Sequence, residues 1–134
     1  MAKLNPKEIN TTALAFLGDA VYEIYARKHV METGQQNADK LHRMAIRYVC
    51  ADGQALALKA LMDGFLTEEE IVLVKRARNH KFTSRTRSTD AVTYKYATAF
   101  EALVGWLYLA EDGNARMEEI ISEGFKKIEE AENE

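Results

Sequence analysis

Apolar residues return every three or four positions along almost the whole of this 134-residue chain, and its one proline, Pro6, stands near the start. A period of about 3.6 residues with no later proline to interrupt it predicts helices throughout. No stretch alternates apolar and polar residues as a half-buried strand would. The chain therefore reads as all-α, a helical bundle in one domain over residues 1–134. Its core is expected over about residues 10–111, followed by an acidic helix and tail over 112–134.

The apolar share, 47%, is enough for a packed core and argues against wholesale disorder. The single Cys50 excludes an internal disulfide and fits a reducing compartment. No apolar run is long enough to span a bilayer, and Met-Ala-Lys-Leu-Asn-Pro-Lys-Glu leads into no signal-like segment. These features predict a soluble, cytoplasmic protein.

The first helix is expected to begin between Pro6 and Asn10, to run to about Thr33 and to stop at Gly34. Leu14, Leu17, Val21, Ile24 and Tyr25 form its apolar stripe. Phe16 lies off that stripe, on the side of Thr12, Ala15, Asp19 and Glu23, where a protein partner or second subunit would have to cover it. A second helix opens at Asn37 and presents Leu41, Met44, Tyr48 and Val49 until Asp52-Gly53 breaks or bends the run. A third covers about Gln54 to Asp63 and ends at Gly64.

Thr67 with Glu70 forms a capping box for a short fourth helix carrying Ile71 and Val74 inward, after which a basic loop is expected from Arg76 to Ser88. Ser88 or Thr89 then caps a helix reaching about Glu111, with Phe100, Leu103, Val104, Leu107 and Tyr108 buried. Gly105 in its interior costs about 1 kcal/mol against Ala, which predicts a close approach by another helix. The last helix turns Met117, Ile120, Ile121 and Ile128 inward and frays into its acidic end.

Two of these helices carry a lone charge in an apolar run. Asp19 is the only charge from Asn10 to Tyr22, and Glu101 the only one from Tyr96 to Ala110. Desolvating a carboxylate costs several kcal/mol, roughly, unless a counter-charge compensates. Two readings are open. Either each acid meets its own Arg or Lys or stays wet at a helix edge, or the two share a hard divalent cation such as Mg²⁺, which binds through one or two carboxylates and keeps several waters.

The net charge of −3 hides an uneven distribution. Lys75, Arg76, Arg78, Lys81, Arg85 and Arg87, with His80 and no acid, fall within thirteen positions, leaving twelve basic against twenty-one acidic residues elsewhere. Such a segment is a solvated charged loop or a localised phosphate site on a body that repels polyanions.

Phe16-Leu17-Gly18-Asp19-Ala20-Val21 and, much later, Ala99-Phe100-Glu101-Ala102-Leu103-Val104-Gly105 resemble the two hallmark segments of the ribonuclease III catalytic domain, with Arg76-Ala77-Arg78-Asn79 as the basic region between them. The resemblance spans about residues 10–111 and leaves no segment for a double-stranded RNA-binding domain, as in the short, Mini-type bacterial members of the family. It implies an all-helical endonuclease that forms a homodimer and uses Mg²⁺ to cut double-stranded RNA, leaving 5′-phosphate and 3′-hydroxyl ends. In Mini-type members the substrate implied is the large-subunit (23S) ribosomal RNA precursor, with a ribosomal protein as helper.

By the same resemblance Asp19 and Glu101 are the catalytic, metal-binding acids, and Phe16 lies in the dimer interface. Arg76, Arg78, Asn79, Lys81 and Arg85 are the RNA-binding residues, with Lys75 and Arg87 beside them. Further acids of the long-chain enzymes fall at Thr12, Ala15 and Thr98, so fewer carboxylates surround the metal here. Those losses favour a rival, a catalytically idle helical dimer that binds RNA or a ribosomal particle; retention of Asp19 and Glu101 opposes it. A helical nucleotide hydrolase would need acidic clusters facing a pocket, and Glu68, Glu69 and Glu70 are better explained as a helix start.

Overall fold

Side-chain caps begin five of the six helices in the computed structural model, which describes residues 4–80 and 90–132. Asn10 accepts from the backbone N–H of Ala13 to start α1 (Thr11–Met31), and Asn37 from that of Lys40 to start α2 (Ala38–Val49). The Cys50 thiol accepts from Gly53 to start α3 (Ala51–Met62), and Thr67 and Glu70 form the expected capping box of α4 (Glu68–Arg78). Asp90 accepts from Thr93 to start α5 (Ala91–Leu109), and α6 spans Asn114–Glu132. A 3-10 turn at Pro6–Glu8 precedes α1. Gly34 and Gly64 follow α1 and α3 with left-handed φ of 91°, which suits residues without a Cβ. No strand occurs among the described residues.

Several boundaries differ from the sequence expectation. The α2–α3 corner lies at Cys50, because its extended backbone and capping thiol stop one helix and start the next, while Gly53 sits inside α3. Arg76 and Arg78 belong to the last turn of α4 rather than to a loop. Asp90 caps α5, whereas Ser88 and Thr89 lie outside the described residues. The last helix does not fray at its acidic stretch but continues to Glu132.

α5 is the central element, apolar on nearly every side, with Ala97, Ala99, Phe100, Ala102, Leu103, Val104, Trp106 and Leu107 all buried. α1, α3, α4 and α6 pack around it. The buried stripe of α1 is Leu14, Gly18, Val21, Tyr22, Ala26 and Val30. Ile24, expected inside, is 66% exposed, and Tyr108 on α5 is 48% exposed. The stripe is centred on Gly18 instead, since a Cβ there would overlap the carbonyl oxygen of Glu101, and one at Gly105 would overlap that of Leu14. The α1 and α5 backbones touch at these two glycines, which realises the close approach expected at Gly105. Just beyond, Tyr22 meets Phe100 edge-on at 5.0 Å and donates its hydroxyl to the Tyr48 carbonyl at 2.8 Å.

α6 is held by a buried row, Met117, Ile120, Ile121, Phe125 and Ile128, and by polar clasps along its length. Arg116 forks onto both Glu70 oxygens at 2.8 and 2.9 Å and also reaches the Phe65 carbonyl. Burial works against the Glu70 charge, but the Arg116 fork and the Thr67 N–H outweigh it and hold the carboxyl below its ordinary range. Tyr25 donates to Glu118 at 2.7 Å, His29 and Tyr48 meet one oxygen of Glu129 at 2.8 and 2.7 Å, and Arg47 pairs with Glu132 at 2.6 Å. These pairings explain why the acidic end stays helical.

Replacing Gly105 with Ala gains about 1 kcal/mol of helix propensity but forces a methyl against rigid main chain, an overpacking cost of about 3 kcal/mol. Gly105→Ala should therefore lower stability by about 2 kcal/mol in urea unfolding. An unchanged midpoint would mean that the two helices have room to part.

Candidate active site

Gly18 and Gly105 fix the place where α1 crosses α5, and the two lone acids sit at that crossing. Asp19 follows Gly18 directly, and the carbonyl that closes on Gly18 is that of Glu101 itself. Asp19 is exposed and Glu101 half-buried, so one carboxylate meets solvent while the other is screened by the bundle. Among the described residues neither has an Arg or Lys partner.

The electrostatic consequence is large. Burial, followed by a hydrogen bond to Asp19 and repulsion from its charge, pushes the Glu101 carboxyl up to about 9. The side-chain amide of Gln54, which donates to Glu101 Oε2 at 3.3 Å, works in the opposite direction but is outweighed. Two converging carboxyl groups without a cationic side chain are a donor set of hard oxygens, suited to a divalent ion such as Mg²⁺. Asp19 and Glu101 are the residues that would hold it.

Thr12, Ala15 and Thr98 add no carboxylate. Thr12 hydrogen-bonds Asn10, Ala15 is buried, and the Thr98 hydroxyl turns back to the Tyr94 carbonyl at 2.9 Å. No group of three or more His, Cys, Asp or Glu that could hold a metal occurs among the described residues.

Phe16 stands one turn before Asp19 on α1 and is 83% exposed. Arg76 and Asn79 are exposed at the C-terminal end of α4, where cations also complement the helix dipole. Arg78 is partly committed inside the fold: it donates to the Tyr96 hydroxyl at 3.3 Å and lies 5.6 Å from that ring, with Lys59 of α3 over the same ring at 4.8 Å. Tyr96 precedes Glu101 by five residues, about 7.5 Å along the α5 axis, which ties the basic end of α4 to the helix bearing the acid. Lys81 and Arg85 lie outside the described residues, as does Arg87.

Sequence reasoning missed Gln54 and Lys59. The signal was of the kind that exposed Asp19, since each is a polar residue in the small, apolar run Gln54-Ala-Leu-Ala-Leu-Lys-Ala-Leu-Met62.

A pH dependence follows. In EDTA the folded chain keeps the Glu101 proton up to about pH 9, whereas the unfolded chain releases it near the ordinary glutamate value of 4.5. The unfolded state therefore binds fewer protons across that window, and this group's contribution to stability falls as pH rises from about 4.5 to about 9. Glu101→Gln should flatten that part of the pH profile of the melting temperature and melt above wild type at pH 8. A parallel profile in the variant would mean that Glu101 titrates normally.

Known proteins resemble this chain over most of its length. The family model described as the Ribonuclease III domain matches residues 12–112. The Mini-ribonuclease 3 of Enterococcus faecalis is 45% identical over 91% of this chain and 92% of its own, and that of Brevibacillus brevis 43% over 93% and 92%. The Mini-ribonuclease 3 of Symbiobacterium thermophilum is 42% identical over 96% and 98%. An X-ray crystal structure of a protein from Fusobacterium nucleatum superposes with a TM-score of 0.78 at 34% identity, covering 87% of this chain and 93% of that one. The chain belongs to the ribonuclease III family, within its Mini-ribonuclease 3 group, and is an endoribonuclease.

Proposed function

We propose that the protein is a Mg²⁺-dependent endonuclease of double-stranded RNA acting as a two-fold homodimer. The observation that carries this reading is the convergence of Asp19 and Glu101, with no Arg or Lys paired to either among the described residues. A structural ion pair would have a basic partner, and an acid kept only for solubility would not be placed against the main helix crossing. The idle-dimer alternative loses ground here, because maintaining two mutually repelling carboxyl groups costs stability that a scaffold would not need to give up.

A divalent cation in such a site supplies charge neutralisation of a phosphate and a water of lowered pKa. Hydrolysis adds water across the P–O3′ bond and leaves a 5′-phosphate and a 3′-hydroxyl. Asp19, on the solvent side, offers acceptor oxygens where water and substrate arrive. Glu101, backed by the bundle, has less freedom to move with the solvent. Arg76, Arg78 and Asn79, continued by Lys81 and Arg85, supply phosphate contacts of the kind that read an A-form duplex by shape.

Phe16 at 83%, Ile24 at 66% and Met31 at 58% exposure share one side of α1 with the Glu23–Arg27 pair, a mixed apolar and charged face suited to the same face of a second copy. Two sites related by a two-fold axis then meet the two antiparallel strands of one duplex. The natural duplex we assign is the paired ends of the 23S ribosomal RNA precursor in the bacterial cytoplasm, presented with a large-subunit ribosomal protein. Family kinship supports this assignment.

Asp19→Asn should abolish cleavage of an end-labelled duplex in Mg²⁺ while melting within a few degrees of wild type. Activity retained in that variant would take Asp19 out of the site. Phe16→Asp should elute as a monomer by light scattering and cut the two strands with reduced coordination. A dimer of unchanged mass would remove the α1 face from the interface.

A further inference from the structure

We propose that Gln54 is a positioning residue of the reaction, its buried amide fixing the Glu101 carboxyl so that the acid pair presents oxygens to a divalent cation. The inference rests on the reading of Asp19 and Glu101 as the cation ligands. Gln54 is 3% exposed and its Nε2 donates to Glu101 Oε2 at 3.3 Å. An amide buried without a hydrogen bond would cost about 1–3 kcal/mol. This one sits in an otherwise apolar stretch of α3 and turns toward the acid.

The backbone holds Gln54 in place independently of the acid. A Cβ at Gly53 would overlap the carbonyl oxygen of Arg47, so the glycine lets the first turn of α3 fold tightly onto the end of α2. Cys50 caps that turn by accepting from Gly53, and the Gln54 N–H donates to the Cys50 carbonyl at 3.0 Å. α3 then packs along α5 with Gln54 opposite Glu101. A short corner, a thiol cap and a helix–helix contact together aim one amide at one carboxylate.

The chemistry of the donor matters. A glutamate's last torsion is broad, so a carboxyl without a partner turns freely about it. An N–H donor on one oxygen restricts that rotation and leaves the other oxygen open. A Lys or Arg at the same place would restrict it too, but would neutralise the pair and compete with the cation. A neutral amide orients without competing. Hydrogen bonds of this type to ligating carboxylates raise metal affinity or activity by about 10–100-fold. With Thr12, Ala15 and Thr98 in place of acids, orientation of the two remaining carboxylates carries more of the affinity.

The test uses the full chain, with RNA left out of the metal-binding arm. Mn²⁺ binding is read from the free-ion electron paramagnetic resonance signal for wild type, Glu101→Gln and Gln54→Met, and duplex cleavage is titrated with Mg²⁺. Gln54→Met keeps the volume and removes the donor. It should weaken Mn²⁺ binding about tenfold and raise the Mg²⁺ needed for half-maximal cleavage by a similar factor. The KM for RNA should stay unchanged, the melting temperature in EDTA should shift by no more than a few degrees, and high Mg²⁺ should restore kcat. If the methionine variant does not fold, Gln54→Asn, which withdraws the amide by one methylene, is read in the same way. Wild-type Mn²⁺ affinity in Gln54→Met, with binding lost in Glu101→Gln, would overturn the role of Gln54 alone. No Mn²⁺ binding by wild type, or none lost in Glu101→Gln, would overturn the cation site and this inference with it.

Discussion

The contact on which the molecule depends is between main chains. α1 and α5 meet through Gly18 and Gly105, where any side chain would collide with a carbonyl of the opposite helix. Helices separated by side chains have axes about 8–10 Å apart, and glycines at a crossing permit a closer approach. Asp19 and Glu101 extend from that crossing, so backbone packing brings their helix positions together, and side-chain partners such as Gln54 set how the carboxyls turn. The arrangement is costly, because two carboxyl groups are forced together and one is screened from water. Apolar burial along the rest of α1 and α5, Leu14, Val21, Phe100, Leu103 and Val104 among it, offsets that repulsion.

The remaining helices distribute charge around this crossing. α6 contributes much of the acidity, yet several of its acids are bound to α1 and α2 through Tyr25, His29, Tyr48 and Arg47. Glu70 at the start of α4 is likewise tied to Arg116. The exposed cations Arg76 and Lys75 gather at the other end of α4, whose neighbour Arg78 reaches α5. A polyanion therefore meets a positive end close to the helix that carries Glu101 and a predominantly negative body elsewhere.

Much of this was legible in the sequence, and the reasons are specific. The caps at Asn10, Asn37 and Thr67 are local signals, and the helices began where those residues stood. Asp19 and Glu101 stood out because a charge inside an apolar run has few explanations. Ile24 and Tyr108 misled because periodicity weighs size and hydrophobicity, whereas the buried side of α1 was selected by its smallest residue. Cys50 as a cap could not be read from a thiol's usual preferences. The acidic end of α6 looked prone to fraying only because its partners are distant in sequence, Glu129 lying 100 residues from His29. Gln54 was overlooked because an amide draws less notice than a charge, although its surroundings were the same.

The crossing at Gly18 and Gly105 also has a temporal consequence. Its two halves are separated by more than half of the chain, and closing so long a loop is slow compared with forming any single helix. During synthesis α1 to α4 emerge before the segment carrying Glu101 exists. The acid pair is then among the last features to assemble, so the unfinished chain carries its cationic segment before the two acids meet. On the reading proposed for the pair, cutting therefore waits until α1 and α5 have met.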